Sequence, residues 1–173
     1  AVAAGASAIM IGSLFAGIGG LELGLERAGL GPTIWQVESD PYCRAVLERH
    51  WPAAKRFGDV RDCSGASYRA RILGSELCPV DIICGGFPCQ DVSLAGKGAG
   101  LDGERSGLWR EFRRLIGELR PGAVYVENVG ALRGRGLLRV LADLAALGYD
   151  AEWHSVPAAA IGAPHLRDRV WIV

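Results

Sequence analysis

The 173-residue sequence lacks several features that would place a protein in a functional class directly. Its charge is balanced, with 19 Lys and Arg against 19 Asp and Glu, so no overall positive field attracts nucleic acid. Its five cysteines form no CxxC pair and no zinc spacing. This odd count without a signal peptide predicts reduced thiols in a cytoplasmic protein. Residues 1–21 carry no charge, but five glycines interrupt them, so we expect no membrane span and no export signal.

Apolar residues and glycines, by contrast, are abundant. Hydrophobic residues make up 50% of the chain, charged residues 22%, and the mean hydropathy is +0.19. These values exclude a disordered tail, and the length suits one domain over residues 1–173 rather than two. The 25 glycines are about twice the usual share, which predicts tight turns or close approach of the backbone to a ligand.

Strand-like apolar runs alternate with helical patterns along the chain. We predict strands at 8–15, 33–38, a short one ending near 58–60, and others at 80–84, 123–127, 149–156 and 169–173. We predict helices at 20–28, 41–50, 67–73, 108–119 and 136–147, the second capped by Asp40. This alternation predicts an α/β fold: a doubly wound, mostly parallel sheet with helices on both faces. In such sheets ligands bind at the carboxyl ends of the strands.

A glycine-rich loop follows the first predicted strand. Its residues are Phe15, Ala16, Gly17, Ile18, Gly19 and Gly20. The acidic residue Glu38 ends the second strand, 21 residues after Gly17, and this arrangement is typical of nucleoside sites, where the carboxylate binds ribose hydroxyls. Glu22 stands where a strict GxGxxG motif has its third glycine. We therefore favour a ligand without phosphates, such as S-adenosylmethionine, over a dinucleotide; a plain glycine turn is the alternative.

Three further groups of residues follow strands. Cys89 comes after Pro88 in a polar loop, where a thiol acts as a nucleophile if its pKa of about 8.5 is lowered. The alternative is a small buried hydrophobic residue, as we expect for Cys84. Glu127 and Asn128 end an apolar strand, where a cap or a turn is the alternative. Arg167 and Arg169 alternate before the last strand, which predicts that both side chains share one face and hold an anion or a carbonyl, unless they form a solvated strand entry.

Taken together and in this order, the motifs resemble those of the DNA (cytosine-5) methyltransferases. The matching segments are Leu14-Phe15-Ala16-Gly17-Ile18-Gly19-Gly20, Glu38, Gly58-Asp59-Val60, Gly86-Phe87-Pro88-Cys89-Gln90, Arg105-Ser106-Gly107-Leu108-Trp109, Glu127-Asn128-Val129 and Arg167-Asp168-Arg169. The resemblance covers nearly the whole chain from residue 10 onward. It implies the Rossmann-like fold of the S-adenosylmethionine-dependent methyltransferases.

The resemblance also implies a mechanism on a cytosine flipped out of double-stranded DNA. Cys89 adds to carbon 6 of the ring, Glu127 binds ring nitrogen 3 and the exocyclic amine, and Arg167 and Arg169 orient the base and Cys89. Carbon 5 then takes the methyl group of S-adenosylmethionine. Asn128 shapes the loop that holds Pro88.

The same resemblance assigns the cofactor and DNA contacts, and it implies no metal. Phe15 to Gly20 line the methionine part, Glu38 the ribose, and Asp59 with Val60 the adenine, while Pro88 and Leu108 pack against the cofactor. Ser39 replaces a bulky side chain that stacks on adenine in some members, which implies modest affinity. The segment 90–107 closes over DNA, with Gln90, Ser93, Lys97 and Arg105 as contacts.

Two departures from the family pattern affect what the chain does alone. Ser13 stands where the family has Asp, and His165 where it has Gln. The resemblance implies a target-recognition domain and a final motif after the arginine motif, and we expect both to be missing from this chain, as in a trimmed chain, a split enzyme with a separate subunit, or a permuted enzyme. We expect this chain alone to read no DNA sequence. A non-catalytic cofactor- or partner-binding module, an RNA methyltransferase and a nicotinamide-linked oxidoreductase are the alternatives.

Overall fold

The fold is a seven-stranded sheet flanked by helices, and the computed structural model describes residues 9–65, 76–88 and 107–173. The strands are β1 (Ile11–Leu14), β2 (Thr33–Val37), β3 (Lys55–Phe57), β4 (Ile82–Gly85), β5 (Ala123–Val129), β6 (Trp153–Pro157) and β7 (Asp168–Ile172). The helices are α1 (Gly20–Arg27), α2 (Pro41–His50), α3 (Gly107–Leu119), α4 (Leu132–Arg135) and α5 (Leu137–Ala146), with 3-10 turns at Val60–Asp62 and Ala158–Ile161.

The strand order is β3-β2-β1-β4-β5-β7-β6, and the predicted α/β class is confirmed. The first five strands in this order are parallel, whereas β7 runs antiparallel to both β5 and β6. Because of that reversal, the amino end of β7 lies at the carboxyl end of β5, where Val129 is opposite Arg169. At this edge of the sheet the other six strands end, whereas β7 begins.

Alternating side chains of the central strands build two buried clusters, one on each face of the sheet. In β4, Ile82 and Cys84 belong to the cluster that contains Leu25 of α1. Ile83 belongs to the larger cluster, which contains Phe112 of α3. β4 is buried along its whole length, as expected for a central parallel strand.

Local sequence signals explain the helix boundaries. Asp40 accepts a hydrogen bond from the Cys43 amide (3.0 Å), and Pro41 occupies the first position of α2, as predicted. In α3 the buried residues recur every three or four positions. They are Trp109, Phe112, Leu115, Ile116 and Leu119.

The sequence-based elements differ from the structure at several boundaries and in one short helix. β1 begins at Ile11 rather than at residue 8, and β6 begins at Trp153 rather than at residue 149. The short helix α4 was not predicted, because its four residues include only one that is buried, Leu132. The predicted helix at 67–73 lies outside the described residues. No helix among those the structure describes is long and apolar enough to cross a membrane.

Candidate active site

The carboxyl edge of the sheet brings the predicted site residues of five strands together. The glycine loop follows β1, Glu38 follows β2, Asp59 follows β3 and Pro88 follows β4. Glu127 and Asn128 lie near the carboxyl end of β5. A cleft of about 280 Å³ opens at this edge. Its lining includes seven residues that the sequence analysis assigned to a cofactor: Phe15, Glu38, Ser39, Asp59, Val60, Pro88 and Leu108. The lining is completed by Val37, Gly58, Arg61 and Gly86.

The glycine loop owes its shape to left-handed backbone conformations. Phe15, Gly17 and Gly19 have φ values of 55°, 56° and 89°. The turn is closed by a hydrogen bond from the Gly19 amide to the Ala16 carbonyl (3.0 Å). Ala16, Gly17, Ile18, Gly19 and Gly20 do not themselves line the cleft; they form the loop beside it.

Glu38 joins the loop to the second strand. Its Oε2 accepts the Gly17 amide (2.7 Å) and its Oε1 accepts the Asp40 amide (2.8 Å). Each carboxylate oxygen has two acceptor positions, so each retains one for a further donor such as a hydroxyl group. Glu38 is therefore held in place and still able to bind a ligand.

Asp59 caps the short turn that follows β3. Its side chain accepts the Arg61 amide (2.9 Å) and also the Arg61 guanidinium, in a two-pronged ion pair. The hydrogen bonds from Arg61 hold the pKa of Asp59 below its usual value, so the carboxylate is ionised at neutral pH. Arg61 was not singled out from the sequence, since a charged residue two positions after an acid has no distinctive pattern.

Helix α3 fixes the turn that carries Asp59 and Val60. Arg114 donates to the Cys63 carbonyl (2.8 Å) and to the Val60 carbonyl (3.3 Å). One helical turn later, Glu118 accepts the Gly65 amide (2.8 Å). The sequence analysis missed this pair, although an Arg and a Glu four residues apart on a helix were the available signal.

Glu127 and Arg169 form an ion pair at the other side of the edge. Arg169 Nε lies 2.8 Å from Glu127 Oε1, and both side chains are about three-quarters buried, with 21% and 26% exposed. Gly86 lies directly beside this carboxylate, because a Cβ there would sit 2.8 Å from Glu127 Oε2. The pair thus presents one acidic and one basic group next to the loop that leads to Cys89.

Asn128 ties β5 to the same loop. It is buried, and its Nδ2 donates to the Phe87 carbonyl (3.0 Å) while its Oδ1 accepts the Val129 amide (2.9 Å). Burial raises the pKa of the Cys84 thiol in β4 well above its usual value, which agrees with the expected role of Cys84 as a core residue.

Arg167 lies just outside the last strand. It precedes β7, is exposed and has a φ of 34°, whereas Arg169 lies within β7 and is half-buried. Among the described residues, Glu127 is paired with Arg169 and not with Arg167. That both arginines share one face and orient the base stays a prediction.

Five predicted site residues lie outside the described residues: Cys89, Gln90, Ser93, Lys97 and Arg105. The described chain ends at Pro88 on one side of this segment and resumes at Gly107 on the other. Within the described ranges, no group of three His, Cys, Asp or Glu side chains is arranged to hold a metal ion.

Comparison with known proteins gives consistent matches over nearly the whole chain. A family model described as C-5 cytosine-specific DNA methylase matches residues 9–173. The type II methyltransferase M2.BsuMI of Bacillus subtilis (strain 168) is 37% identical over 166 residues, a region covering 91% of this chain and 40% of that protein. The type II methyltransferase M.AquIA of Picosynechococcus sp. is 31% identical, covering 93% of this chain and 69% of that protein.

Solved structures agree in fold. A DNA modification methyltransferase encoded within an E. coli prophage superposes with a TM-score of 0.73 at 28% identity, covering 95% of this chain and 46% of that one. The chain thus spans about half the length, or less, of most of these relatives.

Proposed function

Since the chain belongs to the C-5 cytosine-specific DNA methylase family, we propose that it supplies the catalytic site for transfer of a methyl group from S-adenosylmethionine to carbon 5 of cytosine in DNA. The observation that carries this proposal is the cleft at the carboxyl edge. Seven residues assigned from the motifs line it, and the Glu127–Arg169 pair lies beside Gly86 of the same lining.

The cleft's chemistry fits S-adenosylmethionine. Glu38 retains an acceptor position on each oxygen for the two ribose hydroxyls. Phe15, Val60 and Leu108 supply apolar surface for the remaining parts of the molecule. Arg61, the one basic side chain in this lining, is already held by Asp59, which favours a ligand without phosphates.

In the proposed reaction, Cys89 as a thiolate adds to carbon 6 of a cytosine that has left the duplex stack, forming a carbon–sulfur bond. This addition breaks the double bond between carbon 5 and carbon 6 and leaves an electron-rich ring in which carbon 5 is nucleophilic. S-adenosylmethionine, when bound, supplies an electrophilic methyl carbon. After methyl transfer, loss of the proton on carbon 5 re-forms the double bond and expels Cys89 as a thiolate.

The described side chains support these steps by positioning and by charge. Glu127 binds ring nitrogen 3 and the exocyclic amine of the base, which favours the electron-rich adduct. Arg169 orients Glu127 through their 2.8 Å contact. Asn128 holds the Phe87 carbonyl, and therefore the chain that enters Pro88 and Cys89. Arg167 contacts the base or the DNA backbone from its exposed position.

DNA recognition belongs to the same proposal. We assign phosphate and strand contacts to Gln90, Ser93, Lys97 and Arg105, and sequence-specific binding to a target-recognition segment beyond the part that matches here. A bacterial, cytoplasmic setting accords with the bacterial relatives. The alternative is a cofactor-binding subunit that needs a partner for activity, and it is favoured by the 40% coverage of the first relative.

The test is methyl transfer from labelled S-adenosylmethionine to mixed-sequence duplex DNA, with the wild type and Cys89→Ala in parallel. We expect label on carbon 5 of cytosine with the wild type and none with the variant. Cys84→Ala, which removes the buried thiol of β4, is the matched control and should retain activity. Transfer that persists in Cys89→Ala would contradict the proposed nucleophile, and S-adenosylmethionine binding without transfer would favour the subunit alternative.

A further inference from the structure

Trp51, at the end of α2, lies against the glycine loop at Gly19. A Cβ placed on Gly19 would be 2.3 Å from Cζ3 and 2.4 Å from Cη2 of the Trp51 ring. The indole therefore occupies the space that any side chain at position 19 would need. Gly19 also caps the start of α1 in a left-handed conformation, so the loop and the helix start meet the ring at the same residue.

One hydrogen bond orients the ring of Trp51, and further hydrogen bonds hold its backbone. Its Nε1 donates to Glu26 Oε1 (2.9 Å), its amide donates to the Leu47 carbonyl (2.8 Å), and its carbonyl accepts Arg56 Nη1 (2.7 Å). Glu26 Oε1 also accepts the Thr33 amide at the start of β2 (2.8 Å). Ring orientation is thus coupled to the end of α1 and to β2.

Trp51 is half-buried and belongs to neither of the two buried clusters defined by the described residues. Its ring packs on Gly19 and its other side lines a separate open cleft with His50 and Pro52. A tryptophan that lies outside both buried clusters, yet packs on one glycine with its ring nitrogen held by Glu26, is better explained by the loop it supports than by core packing.

We propose that Trp51 is a positioning residue for cofactor binding: its indole, oriented by Glu26, holds the glycine loop in its ligand-binding shape. The inference rests on the proposed S-adenosylmethionine site. The loop is held at two alternate residues, Gly17 by Glu38 and Gly19 by Trp51. Glu38 is shared with the ligand's hydroxyls, whereas Trp51 is not among the described residues that line the cofactor cleft.

The experiment is titration calorimetry of the full chain with S-adenosylhomocysteine, the product of methyl transfer, together with thermal melting. Trp51→Leu keeps apolar volume but removes the flat ring, and we expect its Kd to rise at least ten-fold. Trp51→Phe keeps a ring over Gly19 and loses only the N–H donor, so its Kd should stay within about three-fold of the wild type. Trp153→Ala removes a partly exposed tryptophan of β6 and is the matched control, with no change in Kd.

Glu26→Ala separates ring orientation from ring presence. It leaves the indole in the chain but removes the Nε1 partner, and we expect a Kd between those of Trp51→Phe and Trp51→Leu. Wild-type affinity in a folded Trp51→Leu protein, or equal loss in Trp51→Leu and Trp51→Phe, overturns the positioning role. Failure of the wild type itself to bind S-adenosylhomocysteine would instead contradict the proposed function, so the two failures are distinguishable.

Discussion

The two halves of the carboxyl edge reach their geometry by different means. In the first half, at the ends of β1, β2 and β3, carboxylates bind backbone amides: Glu38 accepts Gly17 and Asp59 accepts Arg61. In the second half, at the ends of β4 and β5 and the start of β7, side chains distant in sequence meet, as Glu127 and Arg169 do. The first half depends on backbone shape, and the second depends on topology. This difference decides which substitutions each half tolerates.

Gly19→Ala should destabilise the first half more than any other substitution considered. The left-handed φ of 89° and the Trp51 ring both oppose a Cβ, so we expect a loss of about 2–5 kcal/mol in the free energy of unfolding. Urea denaturation measures it. Gly20→Ala is the control, because a Cβ there meets nothing within 4 Å and α1 has already begun. Equal stability of the two variants would contradict the account of the loop.

Asn128→Ala should break the second half by leaving the buried Phe87 carbonyl without its donor. We expect a cost of about 1–3 kcal/mol in unfolding free energy. Affinity for S-adenosylhomocysteine should change far less than methyl transfer, because the lost bond holds the loop before Cys89. A variant with normal transfer would show that Asn128 does not position that loop.

The two halves also differ in how far the sequence alone predicts them. The first half was predictable because its residues lie close together in the sequence. Glu38 follows β2, 21 residues after Gly17, and Asp59 follows the next strand, β3. The Glu127–Arg169 contact was not predicted as a pair. It requires β7 to run antiparallel beside β5, 40 residues along the chain, and no local pattern encodes that neighbour.

Local conformation limited other predictions. The left-handed φ of Arg167 was not predicted, because an alternation argument assumes an extended backbone. Trp51 and Arg114 contact loops that only folding brings next to them. In the sequence, Trp51 resembles an ordinary helix end and Arg114 an ordinary residue on a helix surface. The strand and helix order was predictable because buried parallel strands and amphipathic helices each impose a period on the sequence.

Glu22 offers a pH test of the first half. It is fully buried in α1 beside Ser13 and Gln36, and burial raises its pKa above 4.5. Since the folded state holds this proton more tightly than the unfolded state, the stabilising contribution is complete below pH 4.5 and is lost as pH rises through the folded pKa. As the pH rises above 4.5, the melting temperature of Glu22→Gln should therefore increase relative to that of the wild type, whereas melting temperatures that change in parallel would contradict a buried acid with a raised pKa.

Arg169→Lys should have the smallest effect on stability and a large effect on activity. A lysine keeps the positive charge beside Glu127, so we expect a change within about 1 kcal/mol in unfolding free energy. Methyl transfer should fall at least ten-fold, because a lysine does not reproduce the planar guanidinium. Arg167→Lys, at the exposed position before β7, is the comparison and should lose less activity if Arg169 is the residue that orients Glu127.

We propose that the two halves have different functions: the first binds the cofactor and the second acts on the base. Glu38→Gln and Glu127→Gln make the same chemical change, one in each half, and both can be tested for S-adenosylhomocysteine affinity by calorimetry and for methyl transfer to duplex DNA. We predict that Glu38→Gln loses at least ten-fold in affinity, while Glu127→Gln binds S-adenosylhomocysteine like the wild type and transfers no methyl group. Equal loss of affinity in both variants would contradict the division.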